Sequence, residues 1–303
     1  MILSIITINR NNAVGLKQTL DSVAGQVFGD TLRDELSGTM PVVPVEHIII
    51  DGASTDESVS IIERYAAEAK EQGRVVRWLS EPDKGIYNAM NKGIRMAVGE
   101  YIQILNAGDS LSTMDVTERM LHELHRIAQS AERKADTPSV DILYGNMLKV
   151  DAQGKVIGRS GYTEYSLRQF YSSTLNHDCA YIRRALFGDD QYGLYDEQLR
   201  IVSDWKWYLQ AIGLGRVRPV YVDIDVTLFD GGGISETNLS LRAEERRRVL
   251  EEVLPPAVLW DYDHHAFDAE QMNRLRRHRL YWLVYLIERV LFKLEKWGIL
   301  KWK

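Results

Sequence analysis

The first hundred residues alternate between short apolar runs and amphipathic stretches. Residues 2–8 form an apolar run interrupted only by Ser4 and Thr7. A run of that length, rich in β-branched residues, predicts a buried strand. Leu16, Leu20 and Val23 then fall on one helical face, which predicts a helix over 12–26. The alternation continues with a strand at 45–50 and a helix at 55–70 carrying Val59, Ile62 and Tyr65 at helical spacing. A strand at 74–79, a helix at 86–98 ended by Gly99, and a strand at 101–105 follow. Between 28 and 44 the pattern breaks, and Gly29, Gly38, Pro41 and Pro44 mark an inserted loop. Repeated strand–helix units predict an α/β fold: a mostly parallel sheet with helices on both faces.

The second half is less regular. The pattern predicts a helix over 114–133 that runs into a polar stretch ending near Pro138. Strands are expected at 141–144, 147–150 and 179–182, with a turn at 151–154. A helix over 203–212 takes Ser203 as its N-cap. A strand at 220–229 leads into Gly231, Gly232 and Gly233, which read as a mobile flap. The tail from 273 is different. Arg274, Arg276, Arg277 and Arg279 precede the aromatic and aliphatic stretch 281–287, and Arg289, Lys293, Lys296, Lys301 and Lys303 follow it. Cationic flanks around Trp and Tyr predict a helix lying in the interface of an anionic membrane. The competing expectation is a helix packed on the core or on a partner subunit. Glu288 and Arg289 interrupt the run before it reaches the length of a span.

Composition narrows the class. A chain of 303 residues can bury one large core with an appended part. The expected division is 1–238 as the folded domain, halved near 110, and 239–303 as a helical extension. Charged residues at 26% and apolar ones at 45% are ordinary for a soluble globular protein, so neither disorder nor a membrane-embedded chain is indicated. A net charge of −6 argues against general nucleic-acid binding. The single cysteine, Cys179, cannot form an internal disulfide, which fits a reducing compartment. The apolar start lacks a basic n-region and reads as a strand, not a secretory leader. The expected location is the cytoplasm, peripheral at the inner face of the cell membrane.

The chemistry-bearing residues gather at predicted strand ends. Residues 80–109 read SEPDKGIYNAMNKGIRMAVGEYIQILNAGD. Asp83 and Lys84 stand just before a helix, Asn88, Asn91 and Lys92 in its early turns, and Asp109 just past the next strand. Asp51 closes the strand at 45–50 and opens the sequence DGASTD. A carboxylate in such a place accepts hydrogen bonds from a base or ribose. Asp109 is placed to hold Mg²⁺ or Mn²⁺ against a diphosphate, because hard cations take oxygen ligands. A tight turn alone also explains Asn106-Ala107-Gly108-Asp109.

Taken in order, SIITINRNN, IIIDGASTDES, EPDKGIYNAMNKGI and AVGEYIQILNAGD resemble the family 2 glycosyltransferases of the GT-A fold. The pattern looks closest to the bacterial exopolysaccharide and colanic-acid branch. The resemblance is dense over 1–110, thinner to about 238, and does not cover the tail. It implies a GT-A architecture and an inverting transfer of a sugar from a nucleotide-diphosphate sugar to a glycan or polyprenyl-linked acceptor. It implies nucleotide contacts from Thr7, Asn9 and Asp51, with Asp83, Lys84 and Asn91 in the donor site. Asp109 matches the end of an acidic metal motif in which Asn106 and Gly108 replace two carboxylates. Arg10 and Asn88 also depart from the family's usual Tyr and Asp.

The resemblance places the catalytic base at Asp204, with Asp196 and Glu197 as nearby rivals. General-base help is worth about 10²–10⁴-fold; a first-turn Asp favouring the helix dipole is worth under about 1 kcal/mol. His177 is a candidate for metal or leaving-group phosphate, though a lone His is more often structural. Arg183 and Arg184 are candidates for the diphosphate or a solvated pair. Trp205 and Trp207 read as core sooner than as sugar-stacking platforms. A non-catalytic nucleotide-sugar-binding or scaffold protein of a membrane-bound polysaccharide assembly is the alternative. A nucleotidyltransferase is a third reading, but residues 9–12 supply no glycines; a plain dinucleotide-binding oxidoreductase fares worse, because no G-x-G-x-x-G follows any strand.

Overall fold

The computed structural model describes residues 2–29, 45–132 and 140–297. Most of the expected loop at 28–44, the polar stretch at 133–138, and Lys301, Trp302 and Lys303 lie outside the described residues. By packing, the chain divides into two compact units, Met1–Val249 and Leu250–Lys303.

In the first unit the chain runs β1 (Leu3–Asn9), α1 (Ala13–Ala24), β2 (Val45–Asp51), α2 (Ser58–Glu71), β3 (Val75–Ser80), α3 (Ile86–Met96), β4 (Tyr101–Ile104). It continues with β5 (Ser110–Leu111), α4 (Val116–Glu132), β6 (Ile142–Val150), β7 (Val156–Ser160), α5 (Leu167–Ser172) and β8 (Ala180–Arg183). After a 3₁₀ turn at Arg184–Phe187 come α6 (Ser203–Tyr208), a π-helical turn at Leu209–Leu214 and β9 (Pro219–Phe229). Two helices follow, α7 (Ile234–Thr237) and α8 (Leu239–Val253), and the division at Val249 falls within α8.

Among the described residues the strands form one nine-stranded sheet in the order β3-β2-β1-β4-β8-β6-β9-β5, with β7 on β6. β3, β2, β1 and β4 are parallel. β1 is buried at all seven positions, as a central strand with both faces covered should be. Ile5 packs with Val116, Met120 and Leu124 of α4. Ile6 faces the other way, where a Cβ on Gly93 of α3 would collide with it. That glycine lets α3 lie close on the sheet. Leu16, Leu20, Ile49, Ile62 and Tyr65 form a second cluster that fixes α1 and α2 on β2.

The second half of the sheet is mixed. β8 runs antiparallel to β4 and β6, while β9 is parallel to β6 and antiparallel to β5. The two strands expected at 141–144 and 147–150 are one strand, β6, whose register slips around Asn146. A Cβ on Gly145 would strike the Ile224 backbone of β9, so the break in the apolar pattern is a close strand contact. The helix expected over 203–212 ends its regular turns at Tyr208. Its N-cap is Val202, not Ser203. Ser203 is already helical, and its buried hydroxyl has no hydrogen-bond partner. The helix at 86–98 stops at Met96, and Gly99 serves instead to let the chain pass close to Ser4.

The second unit contains α9 (Pro256–Arg277) and α10 (Tyr281–Lys296). Trp282, Tyr285, Phe292 and Trp297 are each 59–67% exposed. Among the described residues no helix is long and apolar enough to cross a membrane.

Candidate active site

Because β1 to β4 run parallel, their carboxyl ends open on one edge of the sheet, the edge where open α/β sheets bind ligands. Two groups of side chains assemble there.

The first surrounds Asp51. Sheet register sets Asn9, Asp51 and Ser80 side by side at the ends of three strands. The buried Asp51 carboxylate accepts from Asn9 Nδ2 at 2.9 Å, the Ser54 amide at 2.9 Å, the Ser54 hydroxyl at 2.6 Å and the Ser80 hydroxyl at 2.7 Å. Burial opposes its charge, but the bonds from Ser54, Ser80 and Asn9 prevail and hold its pKa below the ordinary value. The loop carrying Ser54 is tightly wound: Ala53 has φ 56° and the facing Asn11 has φ 50°. Left-handed non-glycine residues persist only where neighbours hold them. Here Asn11 donates its amide to Ser54 Oγ at 2.7 Å and accepts the Thr55 amide at 2.8 Å.

A Cβ on Gly52 would strike the Asp83 carboxylate, so Asp83 lies against the same loop. Asp83 also accepts the Gly85 amide at 3.0 Å. Lys84 is exposed at the start of α3, its amide donating to Asn88 Oδ1 at 3.2 Å. Thr7 sits deeper in β1, fully buried, its hydroxyl 2.9 Å from His47 Nε2.

The second group lines a cavity of ≈ 390 Å³. Asp109 and Asp204 both face it, together with Tyr87, Asn106, His177 and Asp178. Asp204 accepts the Tyr87 hydroxyl on Oδ1 at 2.7 Å and pairs through Oδ2 with His177 Nδ1 at 3.1 Å. The other ring nitrogen of His177 is 3.1 Å from Asn106 Nδ2, in the turn after β4. Burial works against the Asp204 carboxylate, yet His177 and Tyr87 lower its pKa, so it stands ionised. Burial likewise opposes a charge on His177, but Asp204, Asp178 and Asp109 raise its pKa.

Asp109 behaves in the opposite sense. Burial and then the charges of Asp178 and Asp230 push its pKa well above the ordinary value. Asp178, held by the Thr227 hydroxyl at 2.8 Å and the Cys179 amide at 3.0 Å, is also raised, chiefly by burial. Neighbouring carboxyls in this state take up a proton or a cation in preference to ionising together.

No three His, Cys, Asp or Glu side chains converge on one point among the described residues, so a closed protein cage for a metal is absent there. The oxygen donors that face the cavity suit a hard dication that draws most of its ligands from a diphosphate and water.

The structure thus brings Asp109, His177 and Asp204 together and sets Asn9, Asp51 and Asp83 in the adjoining loop cluster. Asn91 joins neither. It is buried, and its amide donates to Tyr195 O at 2.8 Å and Glu197 Oε1 at 2.9 Å while accepting the Tyr195 amide at 3.0 Å. Of the carboxylates considered for the base, Asp204 faces the cavity. Asp196 is tied to Lys206 at 3.0 Å and Glu197 to Asn88 and Asn91. Arg183 pairs with Asp141, and Arg184 donates to Gly99 O at 2.8 Å, so both are spent on the scaffold. Trp205 and Trp207 are core residues, each 2% exposed. Tyr87 and Asp178 escaped the sequence reading. Tyr87 looks like one more apolar position of α3, and Asp178 gave no signal apart from its place beside His177.

Residues 4–187 match the model described as Glycosyl transferase family 2. The chain is 27% identical over 235 residues to a PGL/p-HBAD biosynthesis glycosyltransferase of Mycobacterium tuberculosis, covering 77% of this chain and 79% of that protein. It is 24% identical over 218 residues to a chondroitin synthase of Escherichia coli, covering 70% of this chain and 29% of that one. Among solved structures, S. aureus TarS 1–349 in complex with UDP-GlcNAc superposes with a TM-score of 0.59 at 18% identity, over 82% of this chain and 64% of that one. The mannosyltransferase PcManGT from Pyrobaculum calidifontis, in complex with GDP-Man and Mn²⁺, gives a TM-score of 0.54 at 17% identity, over 82% and 63%. These likenesses establish the shared GT-A architecture.

Proposed function

The chain belongs to glycosyl transferase family 2, and from that premise we propose that it is an inverting enzyme whose general base is Asp204. As a member of the family it is a glycosyltransferase using a nucleotide-diphosphate sugar. The proposed acceptor is a hydroxyl of a glycan or polyprenyl-linked glycan in bacterial surface polysaccharide assembly, the exopolysaccharide branch of the family. The observation that carries the reading is the meeting of Asp204 and Asp109 in one cavity.

The geometry supports a division of labour. The loop cluster around Asn9, Asp51, Ser54 and Asp83 holds the nucleoside, with Lys84 beside it. Asp109 lies where the diphosphate would be led into the cavity. Asp204, ionised and held by Tyr87 and His177, is the carboxylate that faces the cavity and would take the acceptor proton. Mg²⁺ or Mn²⁺, held by Asp109 with His177 beside it, would neutralise the departing diphosphate. Loss of the base alone should lower turnover by about 10²–10⁴-fold. Asp204→Asn, assayed for release of nucleoside diphosphate from UDP-, GDP- and dTDP-sugars, tests this; unchanged turnover rejects the base.

The second unit supports a peripheral membrane location, proposed at the inner face of the cell membrane. Its exposed aromatic side chains lie in a segment where Arg274, Arg276, Arg277, Arg279, Arg289, Lys293 and Lys296 face only Glu288 and Glu295 in opposite charge, within a chain of net charge −6. Cations around an exposed apolar helix suit anionic lipid.

A further inference from the structure

Asp204 stands in a helix that has little means of holding itself. α6 is six residues long, opens on Val202 without a side-chain cap, and passes directly into the π-helical turn. A helix so short is not stable by its own hydrogen bonds. Its support comes from α8, beyond the segment that matches the family model.

Glu245 and Arg246 are consecutive on α8, so their side chains leave it about 100° apart. Glu245 is 4% exposed and turns both carboxylate oxygens on the chain just before α6. Oε1 accepts the Arg200 amide at 2.7 Å and Oε2 the Ile201 amide at 2.9 Å. Arg246 turns the other way. Its guanidinium carbon stands 4.2 Å from the centre of the Trp205 ring, and Nη2 donates to the carbonyls of Phe170 at 2.9 Å, Tyr171 at 3.3 Å and Ser173 at 3.2 Å. The Trp205 Nε1 donates to the same Phe170 carbonyl at 2.7 Å, which closes a triangle of Arg246, Trp205 and the end of α5.

We propose that Glu245 and Arg246 are positioning residues of the transfer reaction, gripping the chain on both sides of Asp204 so that its carboxylate stays aimed at the acceptor hydroxyl. This rests on the reading of Asp204 as base. A buried carboxylate and a half-buried guanidinium are an expensive way to fill space, since each must recover its hydration from fixed partners. Apolar residues would pack the same loops but could not orient peptide groups. A carboxylate bridging two amides and a guanidinium bridging three carbonyls fix the backbone at residues 200–201 and 170–173, and Trp205 follows Asp204 directly. Arg246 also borders the cavity, but its guanidinium is taken up by these partners. A displacement of about 1 Å at a reacting group is enough to lower a rate about 10²-fold.

The test uses Glu245→Gln and Arg246→Lys in the full chain, each alone and combined with Asp204→Asn. The reaction followed is hydrolysis of UDP-, GDP- or dTDP-glucose, whichever the enzyme turns over, with water in place of the acceptor. In the otherwise native enzyme each substitution should lower kcat about 10–100-fold and leave the donor KM within roughly twofold. In the Asp204→Asn background neither should lower kcat further, because groups that act through one another are not additive. Arg246→Lys keeps the charge and the stem, so it serves if Glu245→Gln does not fold. Losses that multiply with Asp204→Asn, or an unchanged kcat in a folded variant, overturn the proposal. Full turnover in Asp204→Asn alone is a separate result: it removes the base and, with it, the need for positioning.

Discussion

His177 Nδ1 lies 3.1 Å from Asp204 Oδ2, inside the cavity and largely out of water. On the far side of the same ring Nε2 meets the Asn106 amide, whose Oδ1 is buried without a partner. The carboxylates around His177 raise its pKa and the imidazole lowers that of Asp204, so each group favours the charged form of the other.

Thermal melts across pH check this charge state. The folded pKa of His177 is raised, so its contribution is complete below the unfolded value of about 6.5 and is lost as pH rises through the higher folded value. The folded pKa of Asp204 is lowered, so its contribution is complete above about 3.9 and is lost as pH falls through the lower folded value. Between these limits the pair contributes a constant amount, while Asp109 and Asp178, whose folded pKa values are raised, cost stability as pH rises above about 3.9. In His177→Gln the alkaline decline should disappear; its persistence would assign the decline to another group.

Tyr87→Phe removes one of the two side-chain hydrogen bonds to the Asp204 carboxylate and leaves the ring packed against Tyr195. Denaturant unfolding should show a loss of about 1–3 kcal/mol, the range for a buried hydrogen bond to a charged group. Turnover should fall with it, and the donor KM should stay within roughly twofold.

Asp109→Asn separates two effects of one carboxyl. Removing a charge next to Asp178 and Asp230 relieves repulsion, so the ligand-free variant should melt above the parent near neutral pH. A stabilisation by nucleotide sugar that needs Mn²⁺ should vanish in the same variant, because bound ligand stabilises in proportion to its affinity. An intact Mn²⁺-dependent shift would remove Asp109 from the metal and diphosphate site.

Asn91→Ala distinguishes a donor contact from a tether. Its three hydrogen bonds to residues 195 and 197 predict a loss of stability of about 1–3 kcal/mol. Titration with nucleotide sugar should give a Kd within roughly twofold of the parent. A large rise in Kd without loss of stability would return Asn91 to the donor site.

Removal of residues 273–303 should abolish sedimentation with vesicles containing phosphatidylserine or phosphatidylglycerol. Binding by the full chain should weaken between about 0.1 and 1 M salt, as screening shortens the reach of the cations. Retained binding after truncation would count against the lipid-facing helix.

The sheet's first half was legible because its signals are local. Each strand from β1 to β4 is a mainly apolar run, broken at one or two polar positions and followed closely by Asn, Asp or Ser, and parallel strands with short connections allow few arrangements. The second half depends on contacts between distant residues. β6 was read as two strands because Gly145 and Asn146, which break its apolar run, meet Ile224 of β9, nearly eighty residues away. Asp204 was legible by resemblance, but its partners were not. Tyr87 is masked by the apolar face of α3. Glu245 and Arg246 sit in the stretch RAEERRR, which reads as the solvated side of a helix. Nothing in that composition tells that one glutamate and one arginine turn inward.

The bonds from Glu245 to the Arg200 and Ile201 amides bear on recombination between relatives. A chimera meant to exchange acceptor preference, joined after residue 238 where the apolar pattern gives way to charge, would take residues 200–204 from one parent and their two clamps from the other. The junction that keeps them as a set lies past Arg246. Crossovers there should yield active hybrids far more often than crossovers a dozen residues earlier.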